Sequence, residues 1–482
     1  MTKQKHIKAV DAASNAEELL PLEQMMVQGG APNEGAAYAV DDANQDKDSE
    51  HHGTESKGAS LVPKLRFAGF TESWRSVYLK DVVTSFEYGL NAPAKDYDFF
   101  TKYLRITDID EDSRKFLITD LKSPDIEAAK ASDYLAQDGD LFFARTASVG
   151  RTYLYSRSDG RVVFAGYLIR GHVRQDLFSP VFIFYSTLTT QYEMFVAATS
   201  ARSVQPGINA AEYGSYQFAV PSIAEQQRIG SLFKELDHNI ELNRGLLEKL
   251  TQLKKSMLEQ MFPREGESVP RLRFAGFTEP WKTDSFEQVF SFLPKVNIAR
   301  EQLSVSSGCV KNIHYGDILT VFGDVLDVNL EAVPRIVGSS LLPKHDPFLL
   351  QNGDVVIADT AEDSSAGKVI ELTGVSDGVQ VIGGQHTMPC RPCVKFSPYF
   401  LGYLLNSSCF RDALVNQLQG IKVLSISKAN LSVLSVKFPD SLAEQQRIGE
   451  FFKALDQRIA QQRAKLEKLG QLKKALLEQM FV

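Results

Sequence analysis

Cysteine is scarce in this 482-residue chain and absent from its first half; Cys309, Cys390, Cys393 and Cys409 are the only four. That excludes a disulfide framework. Cys390 and Cys393 have the spacing of one zinc knuckle, but structural zinc takes two such pairs, so ordinary thiols are expected. No apolar run approaches the roughly 18 residues of a membrane-spanning helix. The opening MTKQKHIKAVDAASN lacks the apolar stretch of a secretory signal, and the expected compartment is the cytoplasm. No G-x-x-x-x-G-K-[ST] loop is available to cradle phosphates, since Gly367-Lys368 leads into valine.

Excess basic charge is also missing, with a net charge of −7. The acid is unevenly spread. Residues 1–60 hold 5 Lys/Arg against 11 Asp/Glu, and the remaining 422 residues hold 48 against 49. The first 60 residues are poor in core-forming side chains and read as a disordered acidic extension. The rest is near neutral, long enough for two to four domains.

What the chain does have is repetition. PKLRFAGFTESW (Pro63 to Trp74) returns as PRLRFAGFTEPW (Pro270 to Trp281) with ten of twelve positions identical. The 41 residues from Ser222 to Phe262 return from Ser441 to Phe481 with 27 identities, including AEQQRIG twice. Between these repeats lie two divergent segments, Arg75 to Pro221 and Lys282 to Asp440. Both mix short β-rich runs with apolar helical stretches. They correspond locally, since Asp138-Gly-Asp-Leu-Phe-Phe-Ala-Arg145 matches Asn352-Gly-Asp-Val-Val-Ile-Ala-Asp359. The expected divisions are 61–221 (first variable domain), 222–262 (helix), 263–440 (second variable domain, with the box at 270–281) and 441–482 (helix).

Each repeated helix opens with a capping box, Ser222 with Glu225 and Ser441 with Glu444. A strict heptad seam follows: Leu236, Ile240, Asn243, Leu247, Leu250, Lys254, Met257 and Met261, then Leu455, Ile459, Gln462, Leu466, Leu469, Lys473, Leu476 and Met480. Two matched seams in one chain predict that the helices pack on each other. Parallel pairing would set Lys254 against Lys473. Antiparallel pairing sets Asn243 against Lys473 and Lys254 against Gln462, without repulsion, and is preferred. The variable domains would then lie at opposite ends of a rod about 40 Å long, close to the roughly 34 Å of one DNA turn. The predicted class is α+β: two mixed α/β domains separated by two long antiparallel coiled-coil helices, with an internal pseudo-twofold repeat.

Two unlike domains, each followed by an EQQRI-type helix ending in Lys-Lys and Leu-Glu-Gln-Met-Phe, resemble the specificity subunit of type I restriction–modification systems. The LRFAGF box, the GDLFFAR segment and Ser425-Ile426-Ser427 before the second helix add to the likeness, which covers about residues 61–482. The resemblance implies two target-recognition domains, each reading half of a split, asymmetric double-stranded DNA site. It implies two modification subunits that methylate adenine with S-adenosylmethionine, and restriction subunits that use ATP and Mg. The chain itself would carry no chemistry, no cofactor and no membrane contact. Its own motifs agree. It has no Pro-Pro dipeptide, hence no [DNS]-P-P-[YFW] of amino-methyltransferases. Pro124-Asp125 is followed by Glu127-Ala-Ala-Lys130, one residue too long for a nuclease Glu-x-Lys. A two-module assembly scaffold that does not bind DNA is the alternative; a stand-alone enzyme is disfavoured by the missing motifs.

Leu141 to Gln175 holds six arginines and one acid, with aromatics interleaved. Such a stripe fits guanine or phosphate contact, or else core aromatics with solvated arginines. Arg145 and Arg151, flanking the loop that starts at Thr146, are the preferred DNA contacts. Arg105 and the RSVQPGIN loop, with Arg202 and Gln205, follow. The second domain has no basic stripe; Lys311, His314, Lys368, Arg391 and Lys422 are the candidates there.

Overall fold

The computed structural model describes residues 26–28, 61–201, 206–338 and 348–482. The acidic extension lies outside the described residues, except that Met26–Gln28 pair antiparallel with Leu65–Phe67. Arg202 and Gln205 also lie outside them.

The chain divides into two units. The first runs to Arg244 and adds Lys465–Val482; the second contains Gly245–Ala464. Each unit therefore takes the start of one long helix and the end of the other.

The first unit is built on four antiparallel strands in the order Val83–Tyr88, Leu168–Val173, Leu141–Ala144, Thr152–Leu154. Leu141–Ala144 is buried throughout, as expected for a strand covered on both faces. A ribbon pairs Arg75–Tyr78 with Gln217–Val220 and brings the start of the domain beside its end. The second unit repeats the order with one more strand: Phe290–Phe292, Thr387–Pro392, Val355–Ala358, Val369–Thr373, Val325–Asp327. Its ribbon pairs Lys282–Ser285 with Ser435–Phe438. The second unit also holds a four-stranded sheet, Leu303–Ser304, Arg335–Ile336, Lys311–Ile313 and Val381–Gly383.

The repeated helices span Ile223–Met261 and Leu442–Met480, 39 residues each, or about 58 Å of α-helix. All sixteen seam residues are buried or half-buried. Within each unit the two helical stretches run antiparallel. In the first, Phe233 lies 5.9 Å from Phe481, and Asp237, one turn on, meets Lys473. In the second, Phe262 lies 5.9 Å from Phe452, and Lys254 meets Asp456. The lysine partners differ from the expected amides. Lys473 lies 2.6 Å from Asp237, and Lys254 lies 2.5 Å from Asp456 and 2.8 Å from Asp324. A carboxylate just off the seam neutralises an interior ammonium better than an amide on it. Burial opposes the charge of Lys254, but Asp324 and Asp456 outweigh it and hold its pKa above the ordinary lysine value.

The AEQQRIG segment fastens each helix to its own domain. Arg66 places two nitrogens on the Glu225 carboxylate, at 2.7 and 2.8 Å, and a third bond on the carbonyl of Glu72 at 2.7 Å. Arg273 repeats this on Glu444, at 2.6 and 2.8 Å, and on the carbonyl of Glu279. The LRFAGF box thus supplies the arginine for the glutamate of the helix. These glutamates are buried ion-pair partners. The N-cap itself stands at Ser441, whose hydroxyl accepts from Glu444 N at 3.3 Å. Gln226 accepts from Ser179 N and donates to Pro221 O, and Gln445 does the same with Ser397 and Pro439. Ile229 and Ile448 are buried, while Gln227, Arg228, Gln446 and Arg447 stay exposed.

The helix ends complete the cores. Phe481 packs against Trp74, Phe182 and Phe233 in the first unit, and Phe262 against Trp281, Phe400 and Phe452 in the second. Among the described residues no helix is long and apolar enough to cross a membrane, and no cluster of metal-ligating side chains is present. Cys390 is buried, which pushes its thiol well above the usual range; Cys309 and Cys393 are exposed.

Candidate nucleic-acid interface

In both units one buried central strand ends in a loop at the edge of the sheet. In the first, Leu141–Ala144 leads through Arg145 and Thr146 to Arg151. The loop closes by Gly150 N donating to Ala144 O at 3.2 Å and Ala144 N donating to Arg151 O at 2.8 Å. In the second, Val355–Ala358 leads through Asp359 and Thr360 to Lys368, closed by Gly367 N to Ala358 O at 2.7 Å and Ala358 N to Lys368 O at 2.9 Å. Gly150 and Gly367 sit at φ +82° and +83°, and a Cβ there would meet Val196 at 2.6 Å or Leu414 at 2.4 Å. Only glycine lets the loop lie so close to the neighbouring helix.

Two further segments converge on each strand end. Arg145 N donates to Tyr167 O (3.1 Å), and Ile208 N donates to Arg145 O (2.9 Å). Asp359 N likewise donates to His386 O (3.0 Å), and Ile426 N to Asp359 O (3.0 Å). Thr146 bridges Gly207, as Thr360 pairs with Ser425. Arg145 and Asp359 are therefore equivalent positions, as are Arg151 and Lys368, and Tyr167 and His386. Tyr213 secures the first edge, donating to Ala144 O at 2.6 Å and accepting from Gly150 N at 3.0 Å.

The arginines of the stripe are not alike in the fold. Arg170 is buried on Glu87, Leu135 O and Asp133 O, and is structural. Arg151, chosen as a DNA contact, donates to Ile109 O at 2.9 Å and lies 3.4 Å from Glu111, so its guanidinium is committed within the fold. Arg105 is held bidentately by Asp108 at 2.8 and 2.6 Å. That pairing keeps its pKa above the usual value despite burial. Arg145 differs: its guanidinium carbon lies 5.0 Å from the centre of the Tyr88 ring, and its side chain has no acceptor among the described residues. Phe142, Phe143, Tyr153, Tyr155 and Phe164 are core, whereas Tyr167 is 65% exposed. The first edge thus presents Arg145 beside the exposed Tyr88, with the exposed Tyr167 on the adjoining segment.

The second edge is polar in another way. Asp359 accepts from Lys295 Nζ at 2.9 Å and Thr360 Oγ1 at 2.8 Å, and His386 Nδ1 lies 3.4 Å away. Tyr315 packs edge-on against His386 at 5.1 Å and beside His314, whose pKa burial lowers. Of the lysines chosen from sequence, Lys311 is buried with its ammonium on Val328 O; burial and then Arg335 lower its pKa. Lys368 donates to Phe322 O at 2.9 Å, at the end of the short helix Tyr315–Thr320, with its pKa lowered by burial. Arg391 is locked on Asp354 at 2.9 and 2.7 Å. These three serve the fold. Lys422 is exposed beside Ile421, in the loop that adjoins the edge.

Sequence reasoning missed Tyr88, Lys295, Asp359 and His386 as members of these edges. One signal was present: Asp359 stands opposite Arg145 in the matched Gly-Asp-x-x-x-Ala segments.

A family profile described as "Type I restriction modification DNA specificity domain" matches residues 71–252 and 316–471. Three solved structures are similar over most of the chain. The type I restriction-modification S subunit from M. genitalium is 13% identical, covers 88% of this chain and 99% of its own, and superposes with a TM-score of 0.50. The HsdS subunit from Thermoanaerobacter tengcongensis is 17% identical over 85% of this chain and 96% of its own, with a TM-score of 0.43. A chain from a study of complex assembly and conformational transition of the type I R-M system is 18% identical, over 85% and 97%, with a TM-score of 0.49. The profile spans more than half of the chain, in two stretches that follow the internal repeat, and the chain belongs to the type I restriction-modification DNA specificity family.

Proposed function

We propose that the protein is the non-catalytic, sequence-reading subunit of a type I restriction–modification complex. It reads a bipartite, asymmetric site on double-stranded DNA, one half per unit, and directs adenine methylation and cleavage by its partners. The observation that carries this reading is the pair of equivalent edges. The same backbone junction, on the same strand order and the same helix mount, carries Arg145 in one unit and Asp359 in the other. A duplicated frame with divergent exposed side chains is what two readers of unlike half-sites require.

The partners are two modification subunits and the restriction subunits. S-adenosylmethionine, ATP and Mg belong to them, and this chain takes no cofactor of its own. The complex works on DNA in the cytoplasm. With near-neutral units, much of the phosphate neutralisation falls to the modification subunits.

The test is reconstitution with the modification subunits and mapping of methylated adenines. Two specific half-sites separated by a fixed gap are expected. Methylation at a single contiguous site, or at every accessible adenine, overturns the reading, and unchanged methylation without this chain favours the scaffold alternative.

A further inference from the structure

Arg145 and Asp359 hold the same place at the end of the same strand and carry opposite hydrogen-bonding chemistry. Arg145 is donor-only, with five N–H groups in a planar fork. The guanidinium carbon lies 5.0 Å from the centre of the Tyr88 ring, a cation–π contact, and no acceptor among the described residues occupies the guanidinium. Its neighbours Arg105, Arg151 and Arg170 are all committed to carboxylates or carbonyls. Asp359 is acceptor-only, but Lys295 Nζ lies 2.9 Å from its Oδ2. Lys295 offsets the repulsion a bare carboxylate would meet from DNA phosphates. Oδ1 already accepts from Thr360 Oγ1 at 2.8 Å, with His386 Nδ1 3.4 Å away, but each carboxylate oxygen has a second lone pair and Lys295 has two further ammonium hydrogens, so the pair offers an acceptor beside a donor. Both side chains reach solvent, at 31% and 17% exposure for Lys295 and Asp359.

The major-groove edges of the bases distinguish these two arrangements. Guanine shows two acceptors, N7 and O6, which match a double donor. Adenine shows an N6 amino donor beside the N7 acceptor, which matches an acceptor beside a donor. A guanine at the second edge would set O6 against the carboxylate, a repulsive mismatch that rejects it.

We propose that this one position selects the base in each half-site: Arg145 reads a guanine, and the Asp359–Lys295 pair reads an adenine. Tyr88 is a positioning residue for the first contact, and Lys295 supplies the donor of the second. The inference rests on the reader assignment above.

The experiment uses the full complex with its modification subunits and a DNA library carrying all four bases at each position of both half-sites. Wild type should require guanine at one position of the first unit's half and adenine at one position of the second's. Arg145→Gln, whose side chain pairs with adenine, should cut the guanine preference at that position by roughly tenfold or more and raise adenine. Asp359→Ala should cut the adenine preference by a similar factor at its own position. Asp359→Asn, an adenine reader, should preserve it. The half read by the unaltered unit should not change, which shows in the same sample that the variant is folded and assembled. If both halves of each variant match wild type, or if Asp359→Asn and Asp359→Ala behave alike, the inference is overturned. A wild-type complex with no bipartite site overturns the reader assignment instead, so the two failures are distinct.

Discussion

Lys473 Nζ lies 2.6 Å from Asp237 Oδ1, on a carboxylate that also accepts from the Tyr185 hydroxyl at 2.8 Å. The triad joins the end of one long helix, the start of the other and the domain packed on them. Lys254, Asp456 and Tyr403 repeat it, with Tyr403 OH to Asp456 at 2.9 Å. Lys473 and Asp237 are only 16% and 20% exposed, so the pair is weakly screened. Lys473→Met is expected to destabilise the first unit by about 1–3 kcal/mol, and Asp237→Asn by a similar amount. In a double-mutant cycle read by unfolding midpoints the two losses should not add. Full additivity would mean that the contact does not couple the helices.

The Arg66–Glu225 pair is more deeply buried, at 8% and 1% side-chain exposure. Removing one partner strands the other charge, so Glu225→Ala is expected to cost roughly 3–5 kcal/mol. The double change Arg66→Met with Glu225→Leu should recover most of that loss. Hydrogen exchange should show the damage in the ribbon Arg75–Tyr78 and Gln217–Val220, while the second unit keeps its protection.

Glu371 is fully buried and its pKa is raised to about 7, because burial outweighs the backbone N–H donors of Gly402 and Tyr399. A carboxyl with a folded pKa above its unfolded one binds the extra proton in the folded state. Its stabilising contribution is therefore complete below about pH 4.5 and lost as pH rises through about 7, for a total of order 3 kcal/mol. Wild type should lose stability relative to Glu371→Gln steadily across that window. A difference that is flat with pH, or wild type gaining on the variant as pH rises, contradicts the assignment.

Each helix is 39 residues long and mounts both cores. Inserting four residues, about 6 Å of helix, into the middle of both should lengthen the gap between half-sites without altering either half. Mapped methylation sites give the result directly; an unchanged gap would show that the helices do not set it.

Much of the architecture was legible because it is written twice. The helices, their seam and their antiparallel sense follow from heptad spacing and from keeping like charges apart. The lysine partners did not follow, because Asp237 and Asp456 lie off the seam and only three-dimensional packing turns them toward it. Arg66 and Glu225 are 159 residues apart, so no local pattern pairs them. Their identity in both copies, as Arg273 and Glu444, was the one available sign. The edges were half legible. Arg145 stood out by composition, but Arg151 looked equivalent to it until its guanidinium was found on Ile109 O. In the second unit the acid Asp359 holds the place of Arg145, so no basic pattern marks that edge.

Replacing 75–221 by the matching segment of another family member, with both helices kept, tests most directly whether each unit reads one half-site. In complex with the modification subunits, the hybrid should methylate a site in which one half and only one half has changed, with the gap preserved. A hybrid that keeps both original halves, or changes both, would contradict the account.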